Sequence, residues 1–168
     1  MKKVSYNQYA KEATEGLAQG SFLTVKSEDE VNTMTIGWGS IGYIWGKPVL
    51  MVMVRESRYT YELIENTDEF TVSIPFDGKM KEELSFCGSK SGRDYDKFAE
   101  CDLITVAGTE VDTPVIKGCD LHYECKIKFK QVMDEDMLEA GYKDKWYSNG
   151  NYHTLYYGEI VASYIDEE

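Results

Sequence analysis

A chain of 168 residues, 42% of them hydrophobic, can bury one sizeable core and fits a single domain spanning 1–168. Thirty acidic against 18 basic residues give a formal net charge of −12 with no long basic stripe, which argues against a nucleic-acid backbone or an anionic membrane as partner. Four cysteines without a Cys-x-x-Cys pair, two histidines and no membrane-length apolar run point to reduced thiols rather than a metal centre, in a cytoplasmic protein without a leader.

Tyr6, Tyr9, Ala10, Ala13 and Leu17 recur at helical spacing and Gly20 stands where a helix stops, which predicts one short amphipathic helix. Segments 21–26 and 31–40 then read as strands, joined by the polar connection 27–30. Within 32–40, Met34, Ile36 and Trp38 fall on one face and Thr33, Thr35, Gly37 and Gly39 on the other. Small and hydroxylated residues permit close backbone approach. They suit the wall of a flat heteroaromatic ring, and equally a twisted strand bent at a barrel corner.

The apolar run 48–54 does not alternate, which predicts a strand covered on both faces. It ends in Arg55-Glu56-Ser57-Arg58-Tyr59-Thr60, and the helical pattern Tyr59, Leu63, Ile64 begins there. The N–H groups of a first helical turn lack partners and carry positive partial charge, and arginine adds bidentate bonds, so this turn is a candidate phosphate site. Ser57 also reads as a plain helix cap.

Phe70, Val72 and Ile74 mark a further strand, and Met80, Leu84 and Cys87 predict a helix over 79–87 ending near Gly88. In the following loop, Gly88 and Gly92 frame Ser89-Lys90-Ser91, a backbone able to form an anion-accepting concavity; a helix cap plus loop, with Asp94, Asp96 and Lys97 as surface ion pairs, explains the same residues. Leu121, Tyr123, Cys125, Ile127 and Phe129 alternate with His122, Glu124, Lys126, Lys128 and Lys130, the clearest strand in the chain. The polar excursion 134–151, carrying Trp146 and Tyr147, reads as a lid or as an exposed insertion, and 153–165 reads as a central or interface strand, apolar on both faces. Strands dominate, without regular strand-helix alternation or a Gly-x-Gly-x-x-Gly fingerprint. The expected fold is mainly β, a closed or partly closed antiparallel β-barrel with short helices.

Three segments together resemble the flavin reductase-like family, the FMN-binding split barrels that include flavoredoxins. They are 32–40 with the turn at 55–60; Cys87-Gly88-Ser89-Lys90-Ser91-Gly92-Arg93-Asp94 with Asp96-Lys97-Phe98; and Tyr152-His153-Thr154-Leu155-Tyr156-Tyr157-Gly158-Glu159. The resemblance implies bound FMN and a homodimer. It implies FMN contacts at Asn32, Thr35, Trp38, Gly39 and Ser40, a phosphate grip by Arg55, Ser57 and Thr60, and contacts to the phosphate and ribityl chain from Lys90, Ser91 and Gly92. His153 lies in its C-terminal motif, where the partner subunit's flavin or an incoming nicotinamide is approached, Tyr156 or Tyr157 of that motif is a candidate to pack on the ring, and His122 is a candidate partner for a flavin edge. No Ser/His/Asp or Cys/His triad, paired carboxylates or P-loop is present, so the cofactor would carry the chemistry. The expectation is an FMN-dependent oxidoreductase fed by NADH, NADPH or a redox protein and delivering electrons to flavin or an electron carrier; the alternative is a non-catalytic FMN-storage module.

Overall fold

The computed structural model describes residues 1–166. In chain order it contains β1 (Lys2–Lys3), α1 (Ala10–Gln19), β2 (Ser21–Ser27), β3 (Glu30–Ile36), β4 (Gly39–Ile44), β5 (Lys47–Arg55), α2 (Tyr59–Ile64), β6 (Glu69–Ile74), α3 (Lys81–Ser89), α4 (Lys97–Glu100), β7 (Thr105–Val106), β8 (Val115–Ile116), β9 (Leu121–Val132), α5 (Ala140–Trp146) and β10 (His153–Ile165). Seven strands pair antiparallel in the order β3-β2-β6-β9-β10-β5-β4, with β1 along β10; β7 and β8 form a separate two-stranded ribbon.

The two edges of this sheet, β3 and β4, are separated in sequence only by Gly37 and Trp38. Two linking residues reach about 10 Å. A flat sheet of seven strands would hold its edges about 29 Å apart. The sheet therefore curls until the end of β3 and the start of β4 come together at this corner, but the two edges do not pair, and the barrel stays split there. The single strand expected over 31–40 is two strands broken at this corner. The first helix begins at Ala10 rather than Tyr6, and α4, β1 and the β7–β8 ribbon carry no pattern long enough to read.

Leu50, Val52 and Val54 of β5 pack inside the barrel with Phe70, Val72, Tyr123, Cys125 and Tyr156, and Ala13 and Leu17 of α1 join the same core. At Gly158 of β10 a Cβ would stand 2.7 Å from Cys125 Cβ and from the Phe70 ring, so only glycine lets β10 lie this close to its neighbours.

The polar face expected for β9 is covered at its first half: Leu121 to Cys125 are all buried. His122 lies 3.0 Å, through Nδ1, from Ser73 Oγ and packs on Tyr164. Glu124 is fully buried and accepts hydrogen bonds from the N–H groups of Thr109 (2.7 Å), Glu110 (2.7 Å) and Val111 (3.1 Å) and from Thr109 Oγ1 (3.0 Å). Burial alone would raise the Glu124 pKa, but these donors outweigh it and hold the carboxyl below its ordinary value. Glu124 thus anchors the 107–113 loop, while burial pushes the His122 pKa down to about 4.

Glu124→Gln removes the charge from several bonds at once and is expected to cost about 2–3 kcal/mol in urea unfolding at neutral pH. The pH dependence has a definite sign. His122 is neutral when folded and has a folded pKa of about 4, whereas the unfolded histidine takes up its proton near pH 6.5; stability therefore falls as pH drops through that interval. Unfolding at pH 5 should be easier than at pH 7 by about 1–2 kcal/mol from this residue. The Glu124 contribution is present above the unfolded carboxylate pKa and lost as pH falls through its lower folded value.

Candidate functional site

Where β5 ends, a turn closed by Arg58 N–H to Arg55 O (3.0 Å) leads into α2 and faces the end of β3 and the 88–97 loop. Two adjoining hollows open here and share Met34 and Arg58.

The narrower hollow is lined by Asn32, Ser57, Arg58, Thr60, Lys90, Ser91, Gly92 and Lys97, among others. Asn32 Nδ2 donates to Thr60 Oγ1 at 2.9 Å, which ties β3 to the first turn of α2. A Cβ on Gly92 would stand 2.2 Å from Asn32 Oδ1 and 2.8 Å from the Tyr59 ring. Any larger residue there would prop the loop away from β3.

Lys97, expected as a surface charge, is 4% exposed. Asp96 caps α4 by accepting from Phe98 N (3.0 Å) and Ala99 N (3.2 Å), and Lys97 runs inward from that cap. Its Nζ donates to Thr33 O and Cys87 O, both at 2.9 Å, which occupies two of the three ammonium protons. Burial, helped by the Arg58 guanidinium, lowers its pKa. An anion in the hollow would offset that penalty.

Arg93 is neutralised by Glu62 and donates to Ser57 O at 3.2 Å. By contrast Arg55, Arg58, Lys90 and Lys97 form no ion pair among the described residues. Four cations without an ion pair around one pair of hollows, in a chain of net charge −12, give this spot a local positive charge that suits an anion.

The wider hollow is walled by Thr35, Ile36, Gly37, Trp38, Met53, Arg55, Trp146 and His153. Thr35 Oγ1 donates to Leu84 O at 2.6 Å, fixing the wall against α3. The Trp38 ring meets Trp146 edge-on at 5.0 Å and His153 at 5.4 Å. Arg55 donates to the carbonyls of Trp146 (3.0 Å) and Asn151 and lies 4.8 Å over the Tyr147 ring. Asn151 Nδ2 donates to Ser57 Oγ at 2.8 Å. Of the two readings of 134–151, these contacts favour a cover docked at the hollow's edge. Tyr147 OH lies 2.7 Å from His153 Nδ1; burial, with Arg55 and Arg58 nearby, pushes the His153 pKa down to about 4, so the ring is neutral at pH 7.

Most of the residues expected in a site converge here. Asn32, Ser57, Thr60, Lys90, Ser91 and Gly92 line the narrower hollow, and Thr35, Trp38, Arg55 and His153 the wider one. Arg55 thus spends its guanidinium on the cover instead of joining Ser57 and Thr60. Gly39 is half-buried in β4, where a Cβ would stand 2.8 Å from Met51 O, and lines neither hollow; Ser40 is exposed, opposite Met51 on the same hairpin. Tyr156 is fully buried in the barrel core, with its hydroxyl donating to Glu65 at 2.8 Å. His122 is held among Ser73 and Tyr164, apart from both hollows. Sequence reasoning undervalued Arg58, which borders both hollows, and took Lys97 for a surface charge although Asp96-Lys97-Phe98 lies in a segment that carries the family resemblance.

The sequence pattern of the flavin reductase like domain family matches residues 18–168, which includes every residue of both hollows. An uncharacterised protein of Archaeoglobus fulgidus is 29% identical over 141 residues, 84% of this chain and 69% of that protein. Flavoredoxin from Methanosarcina acetivorans superposes with a TM-score of 0.67 at 28% identity, covering 88% of this chain and 68% of its own. Flavoredoxin of Desulfovibrio vulgaris gives 0.68 at 26% identity, covering 88% and 69%. The chain belongs to the flavin reductase-like domain family, and its fold is the split barrel of FMN-binding proteins.

Proposed function

We propose that the protein is an FMN-binding oxidoreductase that takes electrons from a reduced nicotinamide and passes them to free flavin or another electron carrier. The observation that carries this reading is the junction of the two hollows: a cation-rich cradle, closed by Gly92, runs directly into a cleft walled by Trp38 and the backbone of 34–38. A ligand with a phosphate at one end and a flat ring at the other suits that pair.

Ser57, Arg58, Thr60, Ser91 and Lys97 would hold the phosphate, with the remaining Lys97 proton as a donor from a buried site. The wall from Thr35 to Trp38 offers main-chain polar groups and an aromatic face to the ring. When bound, FMN supplies hydride acceptance and one- or two-electron release. The chain's own residues bind and orient, and the cover tied down by Arg55 limits water at the cleft. Homodimer formation belongs to the same proposal. Tyr43, Ile44, Trp45 and Phe129 are exposed, with Trp45 and Phe129 in ring contact at 6.0 Å, an apolar surface that a second copy would cover.

FMN should bind much more tightly than riboflavin, and Arg58→Ala should weaken FMN by about 1.5–3 kcal/mol while scarcely changing riboflavin. Titration with both ligands checks this; equal affinities would remove the phosphate assignment. Arg55→Ala, which releases the cover, should weaken both ligands alike. Steady oxidation of NADH or NADPH with excess free FMN separates an oxidoreductase from a storage module, for which FMN would bind without turnover.

A further inference from the structure

Tyr147 is the one buried residue of the 134–151 segment, 4% exposed, and its hydroxyl reaches His153 Nδ1 at 2.7 Å. Its ring is held without help from that hydroxyl. It stacks on Tyr152 with centroids 5.0 Å apart, meets the His153 ring edge-on at 5.6 Å, and carries the Arg55 guanidinium 4.8 Å from its centroid.

The hydrogen bond can be written in two directions; each leaves one proton without a partner among the described residues, and only one puts that proton on Nε2, which is not among the buried unpartnered atoms, on a ring that lines the cleft. Were Nδ1–H to donate, the phenolic proton would have no acceptor, because Tyr147 makes no second side-chain hydrogen bond among the described residues. When the phenol donates, Nδ1 accepts and the single proton of the neutral ring sits on Nε2. Both groups are in the protonation state this needs at neutral pH: burial raises the Tyr147 pKa, and burial with the two arginines lowers that of His153. Nε2 makes no hydrogen bond among the described residues, and His153 lines the wider hollow beside Trp38.

We propose that Tyr147 is a positioning residue: docking of the cover on Arg55 brings its hydroxyl to Nδ1 of His153, locks the imidazole as the Nε2–H tautomer, and presents that N–H to the cleft. Its role toward substrate rests on the oxidoreductase reading above. The ligand class that fits is a planar aromatic or heteroaromatic molecule, received by Trp38 and Trp146, with a carbonyl oxygen or other acceptor on its edge. A neutral donor suits this place, because a second charge on the ring would face the Arg55 and Arg58 guanidiniums. Lifting the cover removes the phenol and the tautomer lock together.

The chain has two histidines, so a long-range proton–nitrogen NMR spectrum of protein labelled at the histidine nitrogens contains two imidazoles, and His153→Gln assigns them. In the wild type without added flavin, His153 should give an unprotonated Nδ1 and a protonated Nε2. Tyr147→Phe should move both nitrogens toward the averaged position of a mixed tautomer, and Arg55→Ala should do the same with Tyr147 present. Unchanged His122 signals report that each variant is folded. An Nδ1–H ring in the wild type, or the same His153 signals in Tyr147→Phe, overturns the proposal. In turnover, Tyr147→Phe should raise KM for the nicotinamide substrate by about twofold, the share of rings that leave the Nε2–H tautomer when the lock is gone, with FMN affinity unchanged. An altered tautomer with an unaltered KM overturns the presenting role. Failure of FMN to bind overturns the oxidoreductase reading instead, and the flavin-free spectrum stands apart from it.

Discussion

The two-residue link between β3 and β4 is the constraint on which the rest depends. Because Gly37 and Trp38 join strands at opposite ends of the pairing order, the sheet has to close on itself. Closure without pairing leaves a seam with unpaired strand edges, and the chain places its hollows beside that seam. Trp38 sits at the corner and walls the cleft. The residue that turns the chain therefore also forms part of the hollow's wall. A fully paired barrel would have no comparable opening at this point.

Electrostatics reinforce the same location. The molecule carries a strong net negative charge, which repels phosphates at long range, yet four cations without an ion pair among the described residues, Arg55, Arg58, Lys90 and Lys97, gather where β5, α2 and the 88–97 loop meet. Lys97 is the extreme case. Its ammonium is withdrawn from solvent and satisfied by two carbonyls, neither of which neutralises it. Retaining a buried charge of this kind costs stability unless an anion completes it, so the arrangement is better explained by ligand binding than by folding. Glu124 is the opposite design. Its carboxylate is surrounded by main-chain donors, anchors a loop, and leaves no binding capacity to spare.

The cover links these features. Arg55 ends the strand that runs through the core, and its guanidinium reaches the carbonyls of Trp146 and Asn151 on a segment far along the chain. Through Tyr147, the same segment touches the only histidine in the cleft. Core, cover and cleft are thus connected by three adjacent side chains, and a change in the cover's position alters the hydrogen bonding inside the cleft.

The sequence by itself determined what depends on near neighbours in the chain. The apolar run of β5, the alternation of β9, the helix after the Arg55–Thr60 turn and the glycine-framed loop were legible because strand and helix periods and turn chemistry act within a few residues. The lining of the narrower hollow was legible for the same reason: Ser57, Thr60, Ser91 and Gly92 lie in short cationic or glycine-rich turns. Only the tertiary structure decided what covers each face and where each long side chain ends. Periodicity put His122 and Glu124 on the face opposite the core, and the β7–β8 ribbon and 107–113 loop then buried them. Tyr156 fell in a motif expected near the cofactor, but its register on β10 turns it into the barrel. Arg55 and Lys97 differ from their expected roles because a flexible, charged side chain is directed by partners that the local sequence does not contain: carbonyls 91 and 96 residues away for Arg55, and one 64 residues away for Lys97.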